Sequence, residues 1–259
     1  MRKLPDLPTR DTYGSSMVLG GGTILLTGEK RCYQLEKGIW KEHSTLNKPR
    51  LFHSAVSTNS ATFLFGGRFS RHTYEYLPKD STTWVMGKTE IPIGFEQGCA
   101  IAMKSEKEIW LIGGVKTKKR ILSFNVNDHT FHVLDSELNI GRIGHMCAII
   151  PNTKKLMITG GNDAYSLGPS EIINIEDGIV TMASSVKSSR SDHGMGFVTI
   201  NNEDRLVIFG GQKNYKKTKD CIEIYNAKAD NWETSCFKLK KPLANFDFLT
   251  VKLGQIQQF

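Results

Sequence analysis

The sequence predicts an all-β propeller, in which four-stranded antiparallel blades are arranged around a central axis. Three observations support this fold class. An apolar run ending in glycine recurs along the chain, its recurrence has the length of one blade, and the same strand patterns surround each copy. The chain has 259 residues, of which 39% are hydrophobic and 23% charged. This composition is typical of a globular protein and excludes the collagen-like and disordered classes.

The repeat is centred on the apolar run. Successive glycines at its end are separated by 39, 47, 47 and 50 residues, which matches propeller blades and exceeds leucine-rich or ankyrin repeats. Four or five consecutive apolar residues are typical of a strand covered on both faces. Because glycine adopts positive φ and admits another backbone closely, the glycine pair predicts a tight turn. The runs are ILLTG ending at Gly28, FLFGG at Gly67, IWLIGG at Gly114, LMITGG at Gly161 and LVIFGG at Gly211.

The flanking segments complete each blade. Before the run, a strand of small and β-branched residues follows a basic or histidine position, as in RLFHSAVS from Arg50. After the run, a strand alternates with period two, as in CIEIYN at Cys221–Asn226, and an aromatic or apolar residue opens a fourth strand. The predicted blades cover approximately residues 9–45, 46–90, 91–138, 139–185 and 186–240, and residues 241–253 supply an extra first strand.

These features resemble the kelch-repeat family. The resemblance rests on the Gly-Gly pairs, on the spacing of Tyr225 and Trp232, and on Arg-x-x-His segments that begin at Arg50, Arg142 and Arg190. The first blade departs from the pattern, with Thr-Gly in place of Gly-Gly. The resemblance implies a kelch-type β-propeller with five full four-stranded blades plus a partial sixth blade.

The two ends of the chain leave the closure of the ring open. A short opening segment, Lys3–Pro8, and a closing strand, Phe246–Leu253, fall outside the five full units. Either the chain is an incomplete six-bladed ring, which we favour, or a five-bladed ring carries one additional strand. Sharing a blade between the termini would close the ring without unpaired strand edges.

The distribution of charge predicts a binding face. The formal net charge is +8. Because strand direction alternates, loops between second and third strands share one face with the blade connections. That face receives most of the excess positive charge, which attracts acidic partners, whereas the opposite loops are mixed or acidic. The candidate partner-binding residues are Arg50, Arg68, Arg71, Lys118, Lys119, Arg120, Arg142, Arg190, Lys216 and Lys217.

Each of these assignments has a simpler alternative. A single lysine in a loop is most often a solvated residue that aids solubility. The arginines of the Arg-x-x-His segments have a structural alternative, in which they bond backbone carbonyls between blades. Three aromatic side chains lie in loops of the same face, where they could stack on a partner; they are Phe69, Tyr165 and Tyr215.

The functional prediction is a non-catalytic protein-interaction module that presents its basic loop face to an acidic peptide or protein. No nucleophile elbow, phosphate loop or carboxylate pair is found, so we expect no enzyme activity and no cofactor. His53, His145 and His193 lack an acidic companion, so we expect no metal site. Two alternatives stay open: an accessory domain of RNA- or tRNA-modifying machinery, which the charge permits, and a kelch-fold metalloenzyme. A nucleic-acid partner is less favoured than an acidic protein or peptide.

Cysteine usage suggests a reduced, cytoplasmic protein. The five cysteines are widely spread and form no CxxC pair, so a disulfide framework has little support. Cys99 and Cys147 occupy matching innermost strands, where we expect them to be buried packing residues. No apolar run approaches the roughly 18–20 residues of a membrane span. We expect a monomer without membrane attachment.

Overall fold

The computed structural model describes residues 14–19, 23–103, 105–162, 169–213 and 217–244, apart from the side chains of Asn162 and Leu243. These residues form strands β1 to β21, which are grouped in five antiparallel sheets. The described part of the chain has no helix with the length and apolar character that a membrane crossing requires.

Each sheet is one blade, and its strands follow one another in chain order. Blade 1 consists of β1 (Ser15–Val18), β2 (Ile24–Thr27), β3 (Arg31–Glu36) and β4 (Ile39–Thr45). Blade 2 consists of β5 (Ser54–Ser57), β6 (Ala61–Phe65), β7 (Tyr74–Pro78) and β8 (Val85–Met86). Blade 3 consists of β9 (Cys99–Ala102), β10 (Glu108–Ile112), β11 (Arg120–Asn125) and β12 (Phe131–Glu137).

The last two blades follow the same plan with one addition. Blade 4 consists of β13 (Ile143–Ile149), β14 (Lys155–Asn162), β15 (Glu171–Asn174) and β16 (Val180–Met182). Blade 5 consists of β17 (Gly194–Ile200), β18 (Glu203–Phe209), β19 (Gln212–Lys213), β20 (Lys217–Asn226) and β21 (Asn231–Leu243). The short β19 pairs with β20 on the side where β18 also pairs, so this sheet has five strands.

The first strands of successive blades lie side by side. β1 contacts β5, β5 contacts β9, β9 contacts β13, and β13 contacts β17. The prediction of an all-β propeller with five blades is therefore confirmed. Among the described residues, no comparable contact joins β17 to β1. The segments Lys3–Pro8 and Phe246–Leu253 lie outside the described residues, so the partial sixth blade stays a prediction.

The hydrophobic core lies between adjacent blades. Four clusters of buried side chains occupy the four boundaries from blade 1 to blade 5. At the boundary of blades 2 and 3, Phe63 and Phe124 meet edge to face with ring centroids 5.4 Å apart. Since blades 2, 3 and 4 are covered by a neighbour on each face, their second strands contain a continuous run of buried apolar residues, as the sequence predicts.

The glycine pairs are required both by conformation and by space. Both glycines of each Gly-Gly pair have positive φ, for example +58° at Gly113 and +111° at Gly114. A Cβ atom on Gly113 would lie 2.6 Å from Cε1 of His145 in the next blade. A Cβ atom on Gly211 would lie 2.8 Å from Cβ of His193. The predicted close approach is confirmed, because the histidine of the Arg-x-x-His segment packs against these glycines.

Candidate functional site

The loops between second and third strands share a face with the blade connections. The Arg68 N–H donates to the Leu51 carbonyl at 2.7 Å, and the Gly114 N–H donates to the Arg142 carbonyl at 2.8 Å. In both cases a loop within a blade is bonded to a connection between blades. We call this surface the connection face; its described residues are 28–30, 46–53, 66–73, 87–98, 113–119, 138–142, 183–193 and 210–213.

A cluster around Glu96 is the most organised polar group on this face. The Glu96 side chain is 1% exposed, yet it accepts hydrogen bonds from Nε of Arg68, at 3.2 Å, and from Nε of Arg71. The Arg68 guanidinium lies 5.2 Å above the ring of Phe52. Between the two arginines, Phe69 is 68% exposed and has φ +75°, which is uncommon for a bulky residue. Two partly exposed guanidiniums therefore flank one exposed aromatic ring.

The loop that carries this cluster is fixed at several points. The Ser70 hydroxyl donates to the Pro49 carbonyl at 3.0 Å. The Phe95 N–H donates to the Arg71 carbonyl at 2.9 Å, which ties the loop of blade 2 to the connection leading into blade 3. Since the loop backbone is bonded at Arg68 and at Arg71, and Glu96 bonds both guanidiniums, the two arginines are held in position before any partner arrives.

The other predicted cations of this face differ in how far they are neutralised. Arg120 forms an ion pair with Glu137, so its charge is shared within blade 3. Lys216 lies outside the described residues. Of the predicted lysines, Lys118 and Lys119 are exposed on this face, and Lys217 is exposed at the start of β20, next to it. Other exposed lysines of the connection face are Lys30, Lys48, Lys88, Lys116, Lys187 and Lys213. Its positive charge is therefore spread over several loops and blade connections.

Three further arginines are buried inside the blades. In blade 2, Arg50 bonds the Glu75 carboxylate at 3.0 Å and the Gly66 carbonyl at 2.7 Å, and both charged side chains are 0% exposed. Glu75 also accepts the backbone N–H groups of Asn47 and Lys48, at 2.7 and 3.1 Å. Burial lowers the pKa of Arg50 from its ordinary value, and the Glu75 carboxylate opposes that shift. The same arrangement recurs as Arg142 with Glu171 and as Arg190 with Glu223.

This burial corrects part of the predicted site. Arg50, Arg142 and Arg190 are at most 1% exposed, and their guanidinium groups bond a carboxylate and backbone carbonyls within the protein. They have no surface for a partner, so we remove them from the candidate site. Each arginine bonds groups of its own blade. The structural alternative is therefore correct in kind, although it placed these bonds between blades.

Sequence reasoning missed the carboxylates that organise this region. Glu75, Glu171 and Glu223 each follow their arginine by 25 to 33 residues, and the pairing was not inferred from their recurrence. Glu96 is not among the predicted site residues. A signal was present, because glutamate stands in the third strand of each blade that has the Arg-x-x-His segment.

The three histidines next to the arginines are buried. Burial, and then the positive charge of Arg50, lowers the pKa of His53 to about 3. Burial together with Arg142 lowers the pKa of His145 to about 3, and the pKa of His193 lies well below its ordinary value. These imidazoles are therefore neutral at physiological pH. Within the described ranges, no group of three or more His, Cys, Asp or Glu side chains is placed to hold a metal ion.

Four residues form the mouth of the axial channel on the connection face. Phe52, Gln97, Gly144 and Asp192 all have φ between +50° and +64°. The N–H of each later residue donates to the carbonyl of the one before, at 3.0, 2.9 and 2.8 Å. They line an axial cavity of about 280 Å³. Burial raises the pKa of Asp192, and hydrogen bonds to its carboxylate oppose the shift.

Cys99 and Cys147 form a disulfide between blades 3 and 4, with their Cα atoms 6.0 Å apart. Both are buried, as predicted, but the expectation of little support for a disulfide is wrong for this pair. Cys32, Cys221 and Cys236 are free. The cytoplasmic location stays a prediction, and the argument for it from unpaired cysteines no longer holds, because disulfides persist mainly in oxidising compartments.

Comparisons with known proteins agree with this architecture. No protein-family model matches the chain. Kelch-like protein 26 of Danio rerio is 25% identical over 113 aligned residues, which cover 40% of this chain and 18% of that protein. The chain therefore matches less than a fifth of this curated relative. A solved structure of YjhT superposes with a TM-score of 0.76 over 94% of this chain and 89% of that chain, at 14% identity, which shows the fold alone.

The radial sheets and the hydrogen bonds between successive blades define a repeat β-propeller. Its glycine pairs and Arg-x-x-His segments resemble the kelch repeat, and the two comparisons support a kelch-repeat β-propeller.

Proposed function

We propose that the chain is a non-catalytic protein-interaction module whose connection face binds an acidic segment of a partner protein. The observation that carries the proposal is the Glu96 cluster, in which a buried carboxylate holds Arg68 and Arg71 on either side of the exposed Phe69. Arginine and aromatic residues dominate the energetics of protein interfaces, particularly where they are held rigidly.

The chemistry of the cluster favours a carboxylate-bearing partner. Arg68 and Arg71 both contact Glu96 through Nε, so their terminal nitrogens are not used in those two bonds. A guanidinium presents these nitrogens as a planar fork that matches a carboxylate. The ring of Phe69 offers apolar surface next to both forks. An acidic segment with an apolar side chain matches this arrangement.

The exposed lysines extend the positive surface beyond the cluster. Lys116, Lys118 and Lys119 lie in the corresponding loop of blade 3, and Lys217 lies at the start of β20. Their contribution is long-range: they raise the rate at which an acidic partner associates and make binding dependent on ionic strength. The resemblance to kelch repeats supports a protein as the partner, because it implies that the propeller acts as an interaction module.

The proposal is tested with a fluorescein-labelled peptide of alternating glutamate and leucine, measured by fluorescence anisotropy at two salt concentrations. We expect the double variant Arg68→Gln/Arg71→Gln to weaken binding about tenfold or more, equivalent to about 1.4 kcal/mol. The matched control is Lys155→Gln/Lys228→Gln, which removes the same charge from exposed positions on the opposite side of the propeller. Its affinity should stay within about twofold of wild type.

Two results would overturn the proposal. Equal losses in the two double variants would mean that net charge alone attracts the peptide. Tighter binding of a single-stranded oligonucleotide than of the peptide, retained at physiological salt, would favour the nucleic-acid alternative instead.

A further inference from the structure

The Cys99–Cys147 disulfide joins blades 3 and 4, whereas a hydrogen bond occupies the corresponding position between blades 2 and 3. Cys99 begins β9 and Cys147 lies in β13, which are the innermost strands of blades 3 and 4. At the preceding boundary, the Ser54 hydroxyl donates to the Gly98 carbonyl at 2.7 Å. Cys99 occupies the position equivalent to Ser54, and its Sγ lies 3.8 Å from the Cys147 carbonyl. In the described ranges, this disulfide is the one covalent cross-link between blades apart from the polypeptide chain itself.

The disulfide is accessible from one direction. Both cysteines are 7% exposed, and both line the axial cavity of about 280 Å³ together with the mouth residues Gln97, Gly144 and Asp192. A small thiol reagent can enter a cavity of this size, whereas the surrounding strands shield the sulfur atoms from a large protein surface. Both cysteines also belong to the buried cluster at the boundary of blades 3 and 4, so the axial cavity is the direction from which a reagent reaches them.

The blade connection that leads into β9 carries the carboxylate of the proposed binding site. Glu96 lies three residues before Cys99, and its side chain holds Arg68 and Arg71. The intervening Gln97 accepts a hydrogen bond from the Gly144 N–H at 2.9 Å, three residues before Cys147. The disulfide and this hydrogen bond are thus two parallel ties between blade 3 and blade 4, at the base of the Glu96 cluster.

We propose that Cys99–Cys147 is a thiol–disulfide exchange site for a small dithiol, and that its reduction loosens the hold of Glu96 on Arg68 and Arg71. The second part rests on the proposed function. A thiolate of the reductant attacks one protein sulfur, forms a mixed disulfide and displaces the other as thiolate. The second thiol of the reductant then displaces the remaining protein sulfur and closes the reductant's own disulfide. The two protons of the reductant end on Cys99 and Cys147.

Mass spectrometry of the full chain tests the chemical part. The protein is treated with dithiothreitol or buffer while folded, and is then denatured and alkylated with iodoacetamide. We expect three alkylated cysteines without reductant, which correspond to the free cysteines, and five after reduction. Five alkylated cysteines without reductant would overturn the proposal, as would three after treatment of the folded protein.

Thermal unfolding and peptide binding test the structural consequence. Reduction opens a loop of 48 residues, and we expect it to lower Tm by about 5–15 °C. The variant Cys99→Ser/Cys147→Ala should have the Tm of the reduced protein and should not respond to dithiothreitol. Cys236→Ser, which changes an exposed free thiol, should respond as wild type does. An unchanged Tm on reduction would overturn the role of the disulfide as a tie between blades.

The peptide assay separates this proposal from the proposed function. We expect reduction to weaken the binding of the glutamate–leucine peptide at least threefold in wild type and not at all in Cys99→Ser/Cys147→Ala. Unchanged affinity on reduction, with Arg68→Gln/Arg71→Gln still impaired, would overturn the coupling to Glu96 and leave the proposed function standing. A peptide that binds neither redox form would overturn the proposed function, while the mass and Tm results would still decide the exchange site.

Discussion

Blade 3 differs from blades 2, 4 and 5 at matched positions inside the propeller. Where the other blades bury an arginine and a glutamate, blade 3 buries Phe95 and Leu122, each 0% exposed. Where the others have a histidine, blade 3 has Gly98. The connection before it also contains Pro92, at the position where Asn47 and Asn139 donate a backbone N–H to the buried glutamate. All members of the polar group are replaced together.

The comparison shows that the buried arginine, its glutamate, the histidine and the backbone N–H donor to the glutamate occur together or not at all. An apolar blade interior needs no carboxylate, and a proline needs no acceptor. Blade 3 instead places its carboxylate one position after Phe95, at Glu96, where it holds the arginines of blade 2. Buried ion pairs are often no more stabilising than well-packed apolar residues of similar volume, so the two solutions can coexist in one ring. Only in blade 3 is this position followed by a carboxylate, Glu96, which holds two partly exposed arginines.

The largest expected effect is the loss of one partner of a buried pair. Glu171→Ala leaves Arg142 charged and buried, and removes the acceptor of two backbone N–H groups. We expect the free energy of unfolding in urea to fall by about 3–5 kcal/mol. Glu176→Gln breaks the exposed pair with Lys154 and should change it by less than about 0.5 kcal/mol. Similar small losses in both variants would contradict the assigned role of the buried pair.

A double-mutant cycle tests whether blade 4 can adopt the interior of blade 3. We expect Arg142→Phe/Glu171→Leu to be more stable than the sum of its single variants predicts, with a coupling energy of about 2 kcal/mol. It should remain less stable than wild type, because the N–H groups of Asn139 and Ile140 lose their acceptor. Urea unfolding of all four proteins provides the measurement. Strictly additive losses would show that the two residues do not act as a pair.

The smallest expected effect is on pH dependence. The folded-state pKa of His145 is about 3, below its unfolded value near 6.5. Between these values the unfolded chain binds a proton that the folded chain does not, so stability is full above about pH 6.5 and falls as pH decreases. His145→Asn should reduce the slope of unfolding free energy against pH by about 1 kcal/mol per pH unit between pH 6 and 5. Equal slopes in His145→Asn and in the wild-type protein would contradict the assignment.

The repeat was predictable from sequence, whereas the pairing of residues across it was not. Glycine runs at regular spacing fix the blades, because both conformation and space exclude other residues at positions such as Gly113. The direction of a side chain such as Arg50 depends on a partner 25 residues away. Because an arginine in a loop segment is exposed by default, the sequence predicts Arg50 at the binding face. Only the matched substitution of arginine and glutamate in blade 3 points to burial.

The disulfide shows a second limit of sequence reasoning. Cys99 and Cys147 are 48 residues apart, close to one repeat, which places them on neighbouring innermost strands. Whether their side chains face each other depends on an offset of one residue, since Cys99 pairs with Ile112 and Cys147 with Ile158 along their ladders. These partners are not equivalent within the repeat. The offset turns the two sulfur atoms toward the same boundary, and it becomes visible only once the register of both blades is known.

Placing the hydrophobic core between blades has a consequence for how such a protein can be altered. The buried aromatic residues of blade 2 that contact Phe124 belong to the core cluster at the boundary of blades 2 and 3. A blade transplanted from a related propeller would supply the side chains of only one side at each of its two boundaries. The facing side chains of the neighbouring blades would not match them. Exchange of a blade succeeds only if the facing side chains of both neighbours are exchanged with it.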